Sequence, residues 1–417
     1  MPRITKLLLL ALGLVLWRAF FPGILTYDSV TQFRQAWEGR FYDWHPPLMA
    51  VTLHLFLKAG RNIGALVLAQ CLAGLFGVRA LAITWLRVFF GPQASLRWAD
   101  GIAALVVLVL LLPVSPLPFY LVTFWKDSWC AVILVWMCAV SLQLASEPPA
   151  GGRTRLRIVL LLILSAAFGL VRHNAVVTLP LAGLVLWTAT RRVSRSVALG
   201  LLTLAPLVAL AASEAVLYRV FDIQRSHLEL HMMAFDLVGV CALDEEACEA
   251  LPYTRSFVRV PNLRERYIPG NIALTFWTEP QVFDPSALWN AGSLQNEYVR
   301  AAWEFPDLLA RVKVEAFVRL LGLDGPHGLI YTGVEKNEYT LRQDPRLEPL
   351  RDRWAAVTRA AGDSPSLRLI SGVHLVWIAV NAVWIAALLS SPGRRPLVLV
   401  LLLPLAFYFS YLLAAPA

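Results

Sequence analysis

The sequence predicts an all-α, polytopic membrane protein, and three observations carry that reading. Of its 417 residues 58% are hydrophobic and only 16% charged, where an ordinary soluble domain carries roughly a quarter charged residues. Apolar runs long enough to cross a bilayer core of about 30 Å recur along the chain, and its mean hydropathy is +0.61. Basic residues collect in the short stretches between those runs, as the positive-inside rule expects. The formal net charge of +9 is therefore a sidedness signal, and a nucleic-acid partner is rejected.

Taken in order, the first apolar run, 5–22, follows Arg3 and Lys6 and has no small-residue cleavage site after it, so it reads as a retained span. A polar loop, 23–61, comes next. It contains "TYDSVTQFRQAWEGRFYDWHPPLM", Thr26 to Met49, with the carboxylates Asp28, Glu38 and Asp43 and a His-Pro-Pro at His45. Within it "PLMAVTLHLFLKA", Pro47 to Ala59, is too short to span as a helix and carries His54 and Lys58. It is expected to lie on the outer membrane surface. Further spans are expected at 62–86, 99–114, 128–146, 156–171, 175–190 and 197–217. A polar stretch, 218–367, holds 21 of the 28 acidic residues and reads as a mainly helical soluble domain. Spans 369–390 and 397–415 form a closing hairpin, 368–417, which makes nine spans in all.

Charge assigns the sides. Arg87 and Arg97, Arg153, Arg155 and Arg157, Arg191, Arg192 and Arg195, then Arg394 and Arg395, mark successive cytoplasmic turns. Counting from a cytoplasmic N-terminus places 23–61, 115–127, 172–174 and the 218–367 domain outside. Cys71, Cys130 and Cys138 lie in apolar runs and read as packing residues. Cys241 and Cys248, in "CALDEEAC", are expected to pair, because disulfides persist in an oxidising outer compartment. No metal-ligand foursome is present. His227 and His231 in "HLELH" have zinc-compatible spacing, but no third ligand accompanies them, and packing is the favoured reading. "NEYVRAAWEFPDLLARVKVEAFVRLLG" reads as two packing helices interrupted near Pro306.

Three outer segments carry unusual polar groups. The first holds Asp28, Gln32, Asp43 and His45. The second is "FWKDSW", with Lys126 and Asp127. The third is "VRHNAV", with Arg172, His173 and Asn174 as a tight turn. Carboxylates at an apolar boundary are costly unless paired or functional, and clustered acids and bases there mark a candidate site. Each has a plainer reading: Asp28 as a cap for the helix beginning near "DSVTQFRQAW", Lys126 and Asp127 as a solvated pair, Arg172 as a snorkelling side chain, His45 as a packing residue.

An Asp in the first outer loop, an "HPP" leading into a membrane-surface helix and a second acidic loop before the fourth span together resemble the GT-C superfamily. These are integral-membrane glycosyltransferases that include protein O-mannosyltransferases and the aminoarabinose transferases of lipid A. The resemblance covers roughly residues 1–190. It implies a GT-C-like helical bundle, 1–217, as the catalytic module. It also implies a polyprenyl-phosphate-linked sugar donor and a catalytic acid at the position of Asp28, with Asp127 matching the second-loop acid. Ser29 stands where protein O-mannosyltransferases carry the second of two acids, which separates this chain from protein mannosylation. The expected activity is transfer of the sugar to an acceptor hydroxyl on a glycan, lipid or protein, at the outer face of a bacterial inner membrane, with inversion. Asp28 is then the base. Lys126 and Arg172 hold the leaving phosphate, and Asp43, His45, Asp127, His173 and Asn174 line the substrate site. Asp28 and Asp127 are the pair that would share a divalent cation, but two carboxylates do not make a predicted metal site. The rival readings are a transporter, which wants mid-membrane ionisable groups or paired repeats, an O-acyltransferase relying on His374, and a non-catalytic membrane subunit.

Overall fold

The protein is described here by a computed structural model covering residues 2–91, 96–146, 151–189, 195–277, 280–321, 330–364, 366–367 and 374–412. It is all-helical, 79% helix, with no strand among the described residues. Among the described residues five helices are long and apolar enough to span a membrane: Ile63–Phe90, Lys126–Ser146, Gly152–Val171, Leu202–Phe221 and Arg394–Leu412. Leu48–Lys58, Trp98–Leu110, His173–Thr188 and His374–Leu389 are apolar but shorter. The first helix, α1 (Pro2–Phe20), is 19 residues long and carries Arg3, Lys6 and Arg18 along an otherwise apolar surface.

The elements that follow are α2 (Tyr27–Glu38), α3 (Leu48–Lys58), α4 (Ile63–Phe90), α5 (Leu96–Leu110), α6 (Leu117–Val122), α7 (Lys126–Ser146), α8 (Gly151–Val171), α9 (Leu179–Ala189), α10 (Arg195–Phe221) and α11 (Leu228–Leu243). Local chemistry explains their ends. Asn62 caps α4 by accepting the Ala65 N–H at 3.0 Å. Gly39, at φ 69°, closes α2 in the left-handed region, its N–H bonded to Gln35 O at 2.9 Å. The sixth expected span, 175–190, does not run as one α-helix. Arg172 is extended, His173–Thr178 forms a 3-10 helix, and α9 begins only at Leu179. The β-branched run Val176, Val177 and Thr178 disfavours a regular helical turn, while Pro180 is tolerated in the first turn of α9. Arg191, Arg192 and the expected span ends at 190, 369–373 and 413–415 lie outside the described residues.

The described residues form two compact units. The first draws on Met1–Gln224, Gly328–Gly372 and Val376–Phe407, the second on Arg225–His327, Val373–Leu375 and Tyr408–Ala417. The first unit has one core around Phe20, Ile24, Phe33, Leu53, Val67 and Phe124. A second core lies around Met137, Leu142, Leu161, Phe168, Leu186 and Leu403. Gly183 on α9 permits close helix packing, since a Cβ there would sit 2.4 Å from the Thr203 backbone oxygen on α10.

The 218–367 stretch, expected as a single domain, contributes to both units. Its first residues complete α10, and the described residues from Ile330 onward pack into the first unit. That return segment satisfies the carbonyls that α1 leaves open at its C-terminal end. The buried Arg351 donates to Ala19 O at 3.1 Å, and Gln343 donates to Phe20 O at 3.3 Å and to Gly23 O at 3.0 Å. Arg18 pairs with Asp344 at 3.0 Å.

The second unit packs around Leu230, Phe235, Val238, Phe276, Phe283 and Leu294. Cys241 and Cys248 are joined there as a disulfide, with Cα atoms 4.3 Å apart. The closed loop is short, so replacing both cysteines by alanine should lower stability by about 2 kcal/mol. A thermal melt of the doubly substituted chain that matches the wild type would show that the bond adds nothing.

Candidate active site

The loop carrying Asp28 is held from two sides. Ile24 N donates to Val122 O at 2.9 Å and Phe124 N to Ile24 O at 3.0 Å, a short parallel bridge to the segment before α7. Leu25 N donates to Gly333 O at 3.1 Å and Glu335 N to Leu25 O at 2.8 Å, a second bridge to the return segment. The N-cap of α2 is Thr26, whose N–H donates to Ser29 Oγ at 3.0 Å. Ser29, fully buried, in turn donates to Phe124 O at 2.6 Å. Asp28 is therefore not the cap. It stands in the first helical turn, with its carboxylate turned to other partners, and Ser29 is the tie between α2 and the start of α7.

Those partners come from three places in the chain. The buried His45 sets Nε2 3.5 Å from Asp28 Oδ1, and Trp125 Nε1–H donates to Asp28 Oδ2 at 3.4 Å. On the far side of the imidazole, His45 Nδ1 lies 3.4 Å from Lys126 Nζ, itself buried. An ammonium can only donate. Nδ1 is then the acceptor, so Nε2 carries the hydrogen and points it at Asp28, giving a directional chain from Lys126 through His45 to Asp28. Burial alone would raise the Asp28 carboxyl. The hydrogen bond from His45, the Lys126 charge and the Trp125 N–H outweigh it, and Asp28 is lowered to about 2.

Arg172 and Asp127 form a salt bridge beside Lys126, the guanidinium largely buried and the carboxylate partly exposed. Arg172 thus faces the protein, and snorkelling to bulk lipid is excluded. Asp127 is committed to Arg172 and Asp28 to His45 and Trp125. Among the described residues no three His, Cys, Asp or Glu side chains gather as metal ligands. Asp43 serves the end of α10: Tyr218 OH donates to its Oδ2 at 2.8 Å, and its N–H donates to Gln224 O at 3.0 Å. His173 is exposed and Asn174 half-buried at the start of the 3-10 turn. Of the residues expected at the site, Asp28, His45 and Lys126 come together directly, Asp127 and Arg172 form the adjoining pair, and Asp43 is bound into the α10 end.

Trp125 was not foreseen as a partner of Asp28, although the indole beside a Lys-Asp pair in "FWKDSW" was a usable signal. Gln32, one turn along α2 from Asp28, is buried with neither amide atom paired among the described residues. Gln35, a turn further, accepts the Tyr42 N–H at 3.1 Å and lines a pocket of about 450 Å³ with Arg34, Glu38, Arg40, Tyr42 and Gln224. Other ionisable groups read differently. His227 and Glu229 form an exposed pair, and the His231 ring packs 5.8 Å from Phe276. His374 Nδ1 is 2.8 Å from Tyr408 OH. The buried Asp100 is paired with Arg79 across α4 and α5. No family model matches the chain, and neither does any curated protein or solved structure.

Proposed function

We propose that the chain transfers a sugar from a polyprenyl-phosphate donor to an acceptor hydroxyl, at the outer face of the membrane. The observation that carries the reading is the Lys126–His45–Asp28 chain, set where α2 meets the first turn of a helix long enough to span the bilayer. A donor whose lipid stays in the membrane must present its reactive carbon at that boundary. In the step proposed, the acceptor oxygen bonds to the anomeric carbon as the bond to the phosphate oxygen breaks. The electron pair leaves on the polyprenyl phosphate, and the hydroxyl proton passes to Asp28. Direct displacement inverts the anomeric centre.

A carboxylate held at about 2 is a weak base, but it meets a strong acid. The attacking hydroxyl loses its proton only as its bond to carbon forms, when the oxygen has become cationic in character. The donor phosphate also offsets the Lys126 charge that suppresses Asp28, raising its basicity when substrate is bound. Lys126 is the better-placed phosphate ligand, since Asp127 already offsets Arg172. Trp125, with Tyr331 edge-on at 6.3 Å, supplies aromatic surface suited to a sugar ring. The disulfide in the second unit supports an oxidising, outer location for that unit.

The test is lipid binding. Polyprenyl phosphate, titrated into the detergent-solubilised chain, should bind, and Lys126→Met should weaken it about tenfold, in line with loss of one charge-assisted hydrogen bond. Unchanged affinity in Lys126→Met, or no binding by the wild type, would remove the donor assignment.

A further inference from the structure

The C-terminal half of α2, the turn Arg40 to Tyr42 and Gln224 enclose the pocket of about 450 Å³. All of these residues belong to the first unit. Backbone pairing fixes the wall that the turn supplies: Gln224 N donates to Phe41 O at 2.9 Å, and Asp43 N to Gln224 O at 3.0 Å. Gln35, 2% exposed, is the buried polar group of the lining. Its Oε1 is committed to the Tyr42 N–H, which orients the amide, and its Nε2 has no partner among the described residues. A buried donor left unpaired is costly, and an oxygen placed in the pocket would satisfy it.

The rim offers donors and acceptors together. Arg34 interacts with Tyr42 and with the Glu38 charge. Arg40, Glu38 and Gln224 are exposed at the mouth, and among the described residues the side chains of Arg40 and Gln224 are committed to no other group. Phe41 and Tyr42 add aromatic surface. Gln35 follows Asp28 by seven residues, close to two helical turns, so both stand on one face of α2 about 10 Å apart. Gln32 lies between them, buried with neither amide atom paired. This face is polar where a helix packed only for stability would present apolar residues.

We propose that the pocket is a subsite for a sugar residue of the acceptor, so that the acceptor is a glycan. Its attacking hydroxyl would lie at Asp28 and a neighbouring sugar of the same molecule against Gln35. Hydroxyls donate and accept at once, which matches Arg40 and Gln35 Nε2 as donors and Glu38 and the Gln224 amide oxygen as acceptors. A small anion would be repelled by Glu38 and would leave the acceptors unused. The inference rests on the transfer reading, because an acceptor hydroxyl at Asp28 is what links the two positions.

The full chain, purified in a detergent without a sugar headgroup, is exposed to an array of neutral and acidic oligosaccharides, and the best-retained one is titrated in solution. The wild type should bind, and Glu38→Gln with Arg40→Gln should weaken binding about tenfold, in line with loss of charge-assisted hydrogen bonds. Gln35→Glu keeps an acceptor for the Tyr42 N–H but removes the donor, and should weaken it at least as much. Arg61→Gln, removing an exposed arginine outside the pocket, should keep it. No glycan bound by the wild type, or full binding by the Glu38→Gln, Arg40→Gln variant, overturns the assignment. Retention of acidic glycans alone, displaced by acetate at matched concentration, would identify an anion site and overturn it too. Polyprenyl phosphate is titrated into the same samples to keep the two readings apart. Donor binding without glycan binding removes only the acceptor assignment. Glycan binding without donor binding removes the transfer reading, and the acceptor role with it.

Discussion

Asp28→Asn loses at least ~100-fold in turnover, within the range for removal of a general base, while the chain folds and still binds polyprenyl phosphate. Asparagine keeps the size of the side chain and one acceptor oxygen, so the bond to either Trp125 or His45 is retained while the other donor faces the amide NH2 and the proton acceptor is lost. Single-turnover transfer with lipid-linked donor reads the effect directly. Near-normal turnover in a folded Asp28→Asn protein would leave the carboxylate as an anchor for His45 and Trp125, and the proposed step would fall.

The titration of Asp28 makes a further expectation. Its folded value, about 2, lies below the ordinary Asp value of roughly 3.9. Its ionised form therefore stabilises the fold above that ordinary value, and the contribution is lost as pH falls through about 2. Asp28 stays ionised throughout the usual assay range, so any acid limb of kcat/KM near neutrality must come from another group. Such a limb should persist in a variant with residual activity.

Lys313→Met destabilises the second unit by about 3 kcal/mol. Asp236 is 1% exposed, and its Oδ2 meets Lys313 Nζ at 2.5 Å and receives the Tyr298 hydroxyl at 3.2 Å. Removing one partner of a buried pair strands the other charge, which is far more costly than removing both. Burial raises Asp236 above the ordinary carboxylate range even though Lys313 and Tyr298 oppose the shift. In Lys313→Met the carboxyl is pushed higher still and can escape the penalty by taking a proton. The loss should therefore be largest near neutral pH and shrink as pH falls. Asp236→Asn in the same chain should recover most of the stability at neutral pH. Denaturant melts of the single and double variants at two pH values measure this. An additive double variant, with no recovery, would mean the pair is not coupled in the folded protein.

Helices and their approximate ends were legible in the sequence because apolar runs, caps and prolines act locally. Among the described residues apolar helices lie within the expected spans, five of them long enough to cross a membrane, and the short "PLMAVTLHLFLKA" segment is the separate helix Leu48–Lys58. The pairing of Cys241 with Cys248 was legible too, as two thiols a few residues apart in a polar stretch. The break at Arg172–Thr178 was misread as a tight turn followed by a regular helix, since hydropathy registers a valine run as apolar without registering its reluctance to form helix. Candidate residues Asp28, His45 and Lys126 stood out as polar groups at apolar boundaries, but not as a chain with a direction. Lys126 lies 81 positions from His45, and no local pattern reports which nitrogen faces which carboxylate.

Composition by itself determined an all-helical chain with apolar helices, a polar acidic stretch and a loop of ionisable groups after the first helix. Tertiary structure decided which parts of that stretch belong together. The segment from Ile330 to Asp363 is as polar as a solvated domain, yet Arg351 and Gln343 are spent on carbonyls of α1, and Val334 pairs with Leu25 beside Asp28. A polar side chain in a sequence can face water, cap a distant helix or hold a substrate. Hydrophobicity is a property of the residue alone, but a hydrogen-bond partner is a property of the fold.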